Sequence, residues 1–161
     1  MPARLGSPFD AYLTLRGIRT LFTRVESQQR TTASIVALLT HHPAVRAVHY
    51  PGLASHPGHA IAKAQQRGFG PMLSFEIAGD ASFVQRFVEA VRIFSLAESL
   101  GGIESLVSHS ATMTHASMSS DARLAAGISD RLIRLSIGLE NEADLLADLN
   151  QALDAALGQA R

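Results

Sequence analysis

The sequence predicts a layered α/β (α+β) fold in which helices cover a short-stranded sheet. Three observations predict it. Segments of helical period alternate along the chain with short segments of period two. The 161 residues are 47% apolar, which suits one ordinary globular domain, or a domain with an appended arm. The longest uninterrupted apolar run, Ile35 to Leu39, is far too short to span a bilayer.

Ser7-Pro8-Phe9-Asp10 opens the first helix, with Ser7 as cap, Pro8 in the first turn and Asp10 three residues on. Gly17 interrupts or bends it. A long helix runs from about Leu21 to His42, with Leu21, Val25, Thr32, Val36 and Leu39 on one stripe. Arg24, Gln28 and Gln29 fall on its wetter side, and Pro43 stops it. These first helices read as an arm outside the sheet layer. Val45 to Tyr50 reads as a short strand, Pro57 to Gln66 as a helix ended by Gly68, and Met72 to Ile77 as an alternating strand. Gly79-Asp80 caps a helix that turns Phe83, Val84, Phe87, Val88 and Val91 inward. Arg92 to Leu96 and Ser105 to Ser108 read as short strands, and Ser119 to Ala126 as a short helix ended by Gly127. Leu132 to Ile137 is the clearest strand, with Ile133, Leu135 and Ile137 facing one way and Leu132, Arg134 and Ser136 the other. Asn141 opens a last helix whose apolar face is Leu146, Leu149, Leu153 and Ala156.

Composition narrows the function. Basic and acidic residues number 14 each, so no overall field draws nucleic acid or an acidic membrane surface. Thirteen of the 14 cations are arginine, the exception being Lys63. There is no cysteine, hence no disulfide, thiolate nucleophile or thiolate metal ligand. The N-terminus, Met1-Pro2-Ala3-Arg4-Leu5-Gly6, lacks an apolar signal core, and a soluble, cytoplasmic protein is the expectation.

Arg134 is the leading site candidate, because a guanidinium on a strand offers two-pronged recognition of a carboxylate with little freedom to wander. The commoner role for such an arginine is an edge-strand ion pair. Glu98-Ser99-Leu100-Gly101-Gly102 is a polar turn whose glycines permit close backbone approach to a ligand, or simply a turn between strands. His56 and His59 lack an indicated third ligand, so a metal site is remote; His115 is better read as a structural hydrogen-bonding group. Gly68-Phe69-Gly70 is no phosphate loop, no Gly-x-Ser-x-Gly elbow occurs, and Lys63 lies on a polar helix face unsuited to a Schiff base.

Several segments, in order along nearly the whole chain, resemble one family. They are Ser7 to Leu21, Gln65-Gln66-Arg67-Gly68-Phe69-Gly70-Pro71-Met72-Leu73-Ser74-Phe75, Ala97 to Leu106, Thr112 to Met118 and Gly127 to Glu140. Together they look like the pyridoxal-phosphate enzymes of cysteine and methionine metabolism, the cystathionine γ-synthase and γ-lyase group. The resemblance implies the small C-terminal domain of a fold-type I enzyme, usually a homotetramer. Residues 1–42 would be connecting helices from an absent large domain, and residues 43–161 the substrate-side domain. It implies that Arg134 binds the substrate α-carboxylate with Ser99 at the same end, that Glu98 faces an amino group, and that Leu100 lines the same site. Glu98 leans toward cystathionine chemistry, and the run Ser108 to His115 is slightly more similar to the γ-synthases, which join an O-acylhomoserine to cysteine, than to the γ-lyases. A γ-lyase-like fragment, or a non-catalytic module assembling with a full-length or split partner, are the alternatives.

The resemblance also implies pyridoxal phosphate as the full-length cofactor, acting as an electron sink. Its lysine, pyridine-nitrogen acid, stacking tyrosine and phosphate-binding groups would belong to the absent half. No catalytic, cofactor-binding or metal-binding residue is therefore expected in this chain, which alone should be inactive and hold the cofactor weakly. The chain reads as a truncation, frameshift or split-gene product, with Met1 to Leu5 as a restart. Tyr12, Leu15, Ile18 and Leu21 are candidates for an uncovered face that promotes homo-oligomers or recruits a cofactor-domain partner.

Overall fold

The computed structural model describes residues 6–158, so the restart expected at Met1 to Leu5 lies outside the described residues. Helix α1 spans Pro8–Ile18. Its capping box forms as the sequence implies: Ser7 Oγ accepts from the Asp10 amide at 3.1 Å, and Asp10 Oδ2 accepts from the Ser7 amide at 3.3 Å. Helix α2 spans Leu21–His41. The Arg24 guanidinium crosses the junction between the two, donating to Gly17 O at 3.1 Å and Thr20 Oγ1 at 3.0 Å.

The remaining elements are β1 Val45–His49, α3 His59–Gln65, β2 Met72–Ile77, α4 Ala81–Ala90, β3 Ser95–Leu96, β4 Leu106–His109, α5 Ser120–Ala125, β5 Leu132–Ser136 and α6 Glu142–Gly158. The five strands form one sheet in the order β1-β2-β5-β4-β3. Strands β3 and β4 are parallel; every other pairing is antiparallel. Helices α2, α4 and α6 cover one face, and the layered α/β class holds.

The covered face carries Leu73, Phe75, Ile77, Val107, Ile133 and Leu135, all 3% exposed or less. Alternation along each strand puts them there. Phe75 meets Phe87 of α4 edge-on, with ring centroids 5.7 Å apart. Helix α6 contributes Leu145, Leu149, Ala152, Leu153 and Ala156, each fully buried. Leu146, expected on this face, is only partly buried, because a helix wedged against both α2 and α4 buries a stripe centred on Leu145 and Leu149 instead. Leu153→Ala should cost about 2–5 kcal/mol, since the truncated side chain leaves a cavity that its neighbours only partly fill; urea unfolding measures it.

The long helix departs from expectation in two ways. Leu21 is 47% exposed, so the apolar stripe is not covered at its start. From Gln28 onward α2 is part of the core, with Ile35 and Leu39 fully buried, rather than an arm outside the sheet layer. The arm is shorter: no residue of α1 is buried, and Phe9, Tyr12, Leu15, Ile18 and Phe22 are all more than half exposed.

Two strands are shorter or shifted because carboxylates take their backbone donors. Residues 92–94 turn away from the expected strand, since the Asp148 carboxylate on α6 accepts from the amides of Arg92 at 2.9 Å, Ile93 at 2.8 Å and Phe94 at 3.2 Å. Strand β4 starts at Leu106 because the Ser105 amide donates to Glu140 Oε1 at 2.7 Å. Pro57 and Gly58 precede α3 rather than opening it.

At α4 the Asp80 carboxylate accepts from Ser82 Oγ at 2.6 Å and the Phe83 amide at 3.1 Å. The Ser82 hydroxyl, then the Phe83 amide, hold this carboxyl below its ordinary value. A depressed value means that the stability it contributes is complete above the unfolded carboxylate range and disappears as pH falls through the folded one. Asp80→Asn keeps a capping oxygen and should flatten that acid-side loss, read as melting temperature at mildly acidic and strongly acidic pH.

Candidate functional site

Strand β5 is the middle strand, so Arg134 is not an edge-strand residue. It lies opposite Ser74 on β2 and Ser108 on β4, and Ser74 lies opposite His49 on β1. Directly opposed residues share a face. His49, Ser74, Arg134 and Ser108 therefore form a polar row across four strands, on the face away from the core. His49 Nε2 is 3.7 Å from Glu76 Oε1 at the β1 end of this face. At the β4 end Ser108 is 1% exposed, and its Oγ has no hydrogen-bond partner among the described residues.

The arginine reaches the loop that precedes β4. Its Nη2 donates to Glu98 O at 2.7 Å and Ser99 O at 3.1 Å. No carboxylate pairs with it among the described residues. The structure thus brings Arg134, Glu98 and Ser99 together through two backbone carbonyls. The Glu98, Ser99 and Leu100 side chains are exposed on the same turn. With only Nη2 engaged, the guanidinium keeps further donors for a ligand.

That turn is clamped from below. Gly101 has φ +75°, a conformation open to glycine at little cost, and its amide donates to Ser136 Oγ at 2.8 Å. Gln28 of α2, expected on the wet side of its helix, is 5% exposed. Its Nε2 donates to Gly102 O at 2.8 Å and Ile137 O at 2.9 Å. Beyond the turn, the Leu139 amide donates to Ile103 O at 2.8 Å, and the Gly138 amide to Ser105 Oγ at 2.8 Å. A Cβ on Gly138 would lie 2.5 Å from Ile103 O, so only glycine fits there. Ser74 and Ser136 are legible from strand alternation. Gln28 is not, because its partners are more than seventy residues away in sequence.

The histidines serve local structure. His56 Nδ1 accepts from the Gly58 amide at 3.0 Å. His59 Nδ1 lies 2.8 Å from Pro51 O, and its ring stacks on Phe69. His115 Nδ1 lies 2.8 Å from Thr114 Oγ1. Among the described residues no group of three His, Cys, Asp or Glu is placed to hold a metal ion. A cavity of about 680 Å³ lies between α2 and the segments Tyr50–Leu53 and Arg67–Phe69, and it shares no residue with the Arg134 loop. Among the described residues no helix is long and apolar enough to cross a membrane.

Residues 3–154 match the family model described as Cys/Met metabolism PLP-dependent enzyme. The chain belongs to this family. It is 52% identical over 151 residues to the cystathionine gamma-synthase of Escherichia coli K12, covering 94% of this chain and 39% of that protein. It is 51% identical over 150 residues to the cystathionine gamma-lyase of Rattus norvegicus, covering 93% of this chain and 38% of that protein. Cystathionine gamma synthase from Xanthomonas oryzae pv. oryzae, solved in complex with aminoacrylate and cysteine, superimposes with a TM-score of 0.90 at 56% identity, over 95% of this chain and 40% of that one. The same enzyme solved with cystathionine gives the same values. The chain therefore spans about two fifths of the length of the relatives it matches.

Full-length members of this family use pyridoxal phosphate, as the family's description implies. The described residues of this chain do not fit that cofactor. A Schiff-base lysine needs a pocket that depresses its pKa, whereas Lys63, the only lysine in the chain, is exposed on α3. Mixing the purified chain with pyridoxal phosphate should produce no lysine-linked absorbance band that survives gel filtration, and a stable band with turnover would overturn this assignment.

Proposed function

We propose that this chain is the substrate-carboxylate part of a cytoplasmic, pyridoxal-phosphate-dependent transsulfuration enzyme of the cystathionine γ-synthase type, joining an O-acylhomoserine to cysteine. One observation carries the reading. Arg134 stands on the central strand, held at one nitrogen by the Glu98 and Ser99 carbonyls and unpaired with any acid among the described residues. A guanidinium so oriented presents the rest of its planar fork to a carboxylate. Glu98 is suited to an ammonium group, while Ser99 and Leu100 on the same turn shape the mouth of the site. Bond making and breaking belongs to residues outside this chain. Here Arg134 binds and orients the amino acid.

Helix α1 and the exposed start of α2 link this unit to the part that carries the cofactor, and the chain from Gln28 onward forms the substrate side. The exposed apolar residues Phe9, Tyr12, Leu15, Ile18 and Phe22 suit a covered position against such a part, or against another copy in an oligomer. A γ-lyase direction is the second reading, supported by 51% identity to the rat lyase, almost the value for the Escherichia coli synthase.

The test is a graft in which this chain replaces the matching two fifths of the Escherichia coli relative. Cystathionine formation from an O-acylhomoserine and cysteine is the expected result. A graft that folds and holds cofactor yet only degrades cystathionine favours the second reading. A graft that folds and holds cofactor but does neither overturns both. Copurification distinguishes the remaining alternative: a cofactor-free homo-oligomer without a lysine-bearing partner points to a non-catalytic module.

A further inference from the structure

We propose that Gln28 is a positioning residue for Arg134, coupling helix α2 to the carboxylate end of the site; the inference rests on the reading of Arg134 as the carboxylate clamp. The Gln28 amide nitrogen has two hydrogens, and both are used: one on Gly102 O, at the end of the turn, the other on Ile137 O, just past β5. One side chain thus joins three pieces of backbone that are far apart in sequence. The turn is suspended between this anchor, the Ser136 hydroxyl under the Gly101 amide, and the Arg134 fork under the Glu98 and Ser99 carbonyls.

The two carbonyls that orient the guanidinium are therefore placed by contacts made further along the same turn. Releasing Gly102 O lets the turn move, and the Glu98 and Ser99 oxygens move with it. Arg134 then keeps its charge and loses its direction. Side-chain truncation beneath the turn is not the only way to do this. A carboxylate at position 28 would face two carbonyl oxygens with no hydrogen to offer, and a thioether of the same length would fill the space and donate nothing.

Such a residue has a signature that ordinary packing lacks. Its loss should act through Arg134 and vanish where Arg134 is already gone. Gln28 lies on the helix that continues from the exposed arm, so a shift of α2 along its axis would pull on the turn directly. The contact is also out of reach of solvent competition, since Gln28 is almost fully buried.

The experiment has two arms. In the full chain, amide hydrogen exchange at Gly101 and the NMR signals of the Arg134 guanidinium are compared in Gln28→Met, Gln28→Glu and the core control Leu153→Ala. Both Gln28 variants should speed Gly101 exchange at least ~10-fold beyond any change in global stability and shift the Arg134 signals. The control should lower stability without either effect. In the graft, Gln28→Met should raise KM for the amino-acid substrate about tenfold, the scale of one lost buried hydrogen bond, and should add less than about twofold in an Arg134→Ala background. If the Gln28 variants behave like Leu153→Ala, or if their effect on KM multiplies with that of Arg134→Ala, the inference is wrong. Should Gln28→Glu fail to fold, the methionine variant decides alone. If Arg134→Ala leaves KM unchanged, the proposed function fails, and the exchange arm still judges the link between Gln28 and Arg134.

Discussion

Arg134→Ala in the graft should lower kcat/KM for the amino-acid substrate by roughly 30- to 5000-fold, the kinetic equivalent of the ~2–5 kcal/mol lost when one partner of a hydrogen-bonded charge pair is removed. Three features set the size. The side chain starts from a central strand, whose backbone is held on both sides by β2 and β4, so its base does not move. Its far end is held by the Glu98 and Ser99 carbonyls, so its direction is set before a ligand arrives. No acid among the described residues has to be displaced first. Arg134→Lys keeps the charge but loses the planar fork and the reach to both carbonyls, and it should still cost at least about tenfold. Steady-state kinetics with unchanged cofactor absorbance checks both. Wild-type kcat/KM in the alanine variant would show that another group takes the carboxylate.

Asp148→Ala should destabilise the chain by about 3 kcal/mol, because buried backbone donors left without an acceptor cost ~1–3 kcal/mol each and some of those freed here can turn to water. The carboxylate is 4% exposed on α6 and accepts from three consecutive amides, those of Arg92, Ile93 and Phe94. Arg92 and Ile93 are exposed residues and can rehydrate, but Phe94 is buried and cannot. Gln151 Nε2 also loses a partner, at 3.1 Å. For a chain of this size the melting temperature should fall by roughly 6–12 °C. Asp148→Asn retains one acceptor oxygen, turns an NH₂ group toward the remaining donors, and should lose about 2 kcal/mol. An alanine variant within about half a kcal/mol of the parent would show that water reaches all three amides.

Much of the placement of the candidate site residues was readable in advance, and the reason is strand geometry. Alternation along Leu132 to Ser136 places Arg134 and Ser136 on the polar face, and the structure has them there, with Ile133 and Leu135 fully buried on the other. The glycines at 101 and 102 marked a turn of special backbone, and Gly101 does take a positive φ. What the turn does was not readable. Arg134 meets it through two carbonyls, which every residue carries, so no residue type announces the contact. The edge-strand reading of Arg134 failed because strand order is a property of pairing, and pairing brings β5 between β2 and β4 across long sequence separations.

Periodicity, capping residues and the family's ordered motifs were enough to determine a layer of helices on a short sheet, the faces of its strands and the family to which the chain belongs. These are local quantities, set by side-chain spacing of two or 3.6 residues. Tertiary structure alone decided that Gln28 is buried under the turn, that Asp148 bends residues 92–94 out of a strand, and that α2 enters the core from its third turn onward. Each depends on which distant backbone groups arrive without partners, because a buried polar group must find its hydrogen bond wherever the fold supplies one.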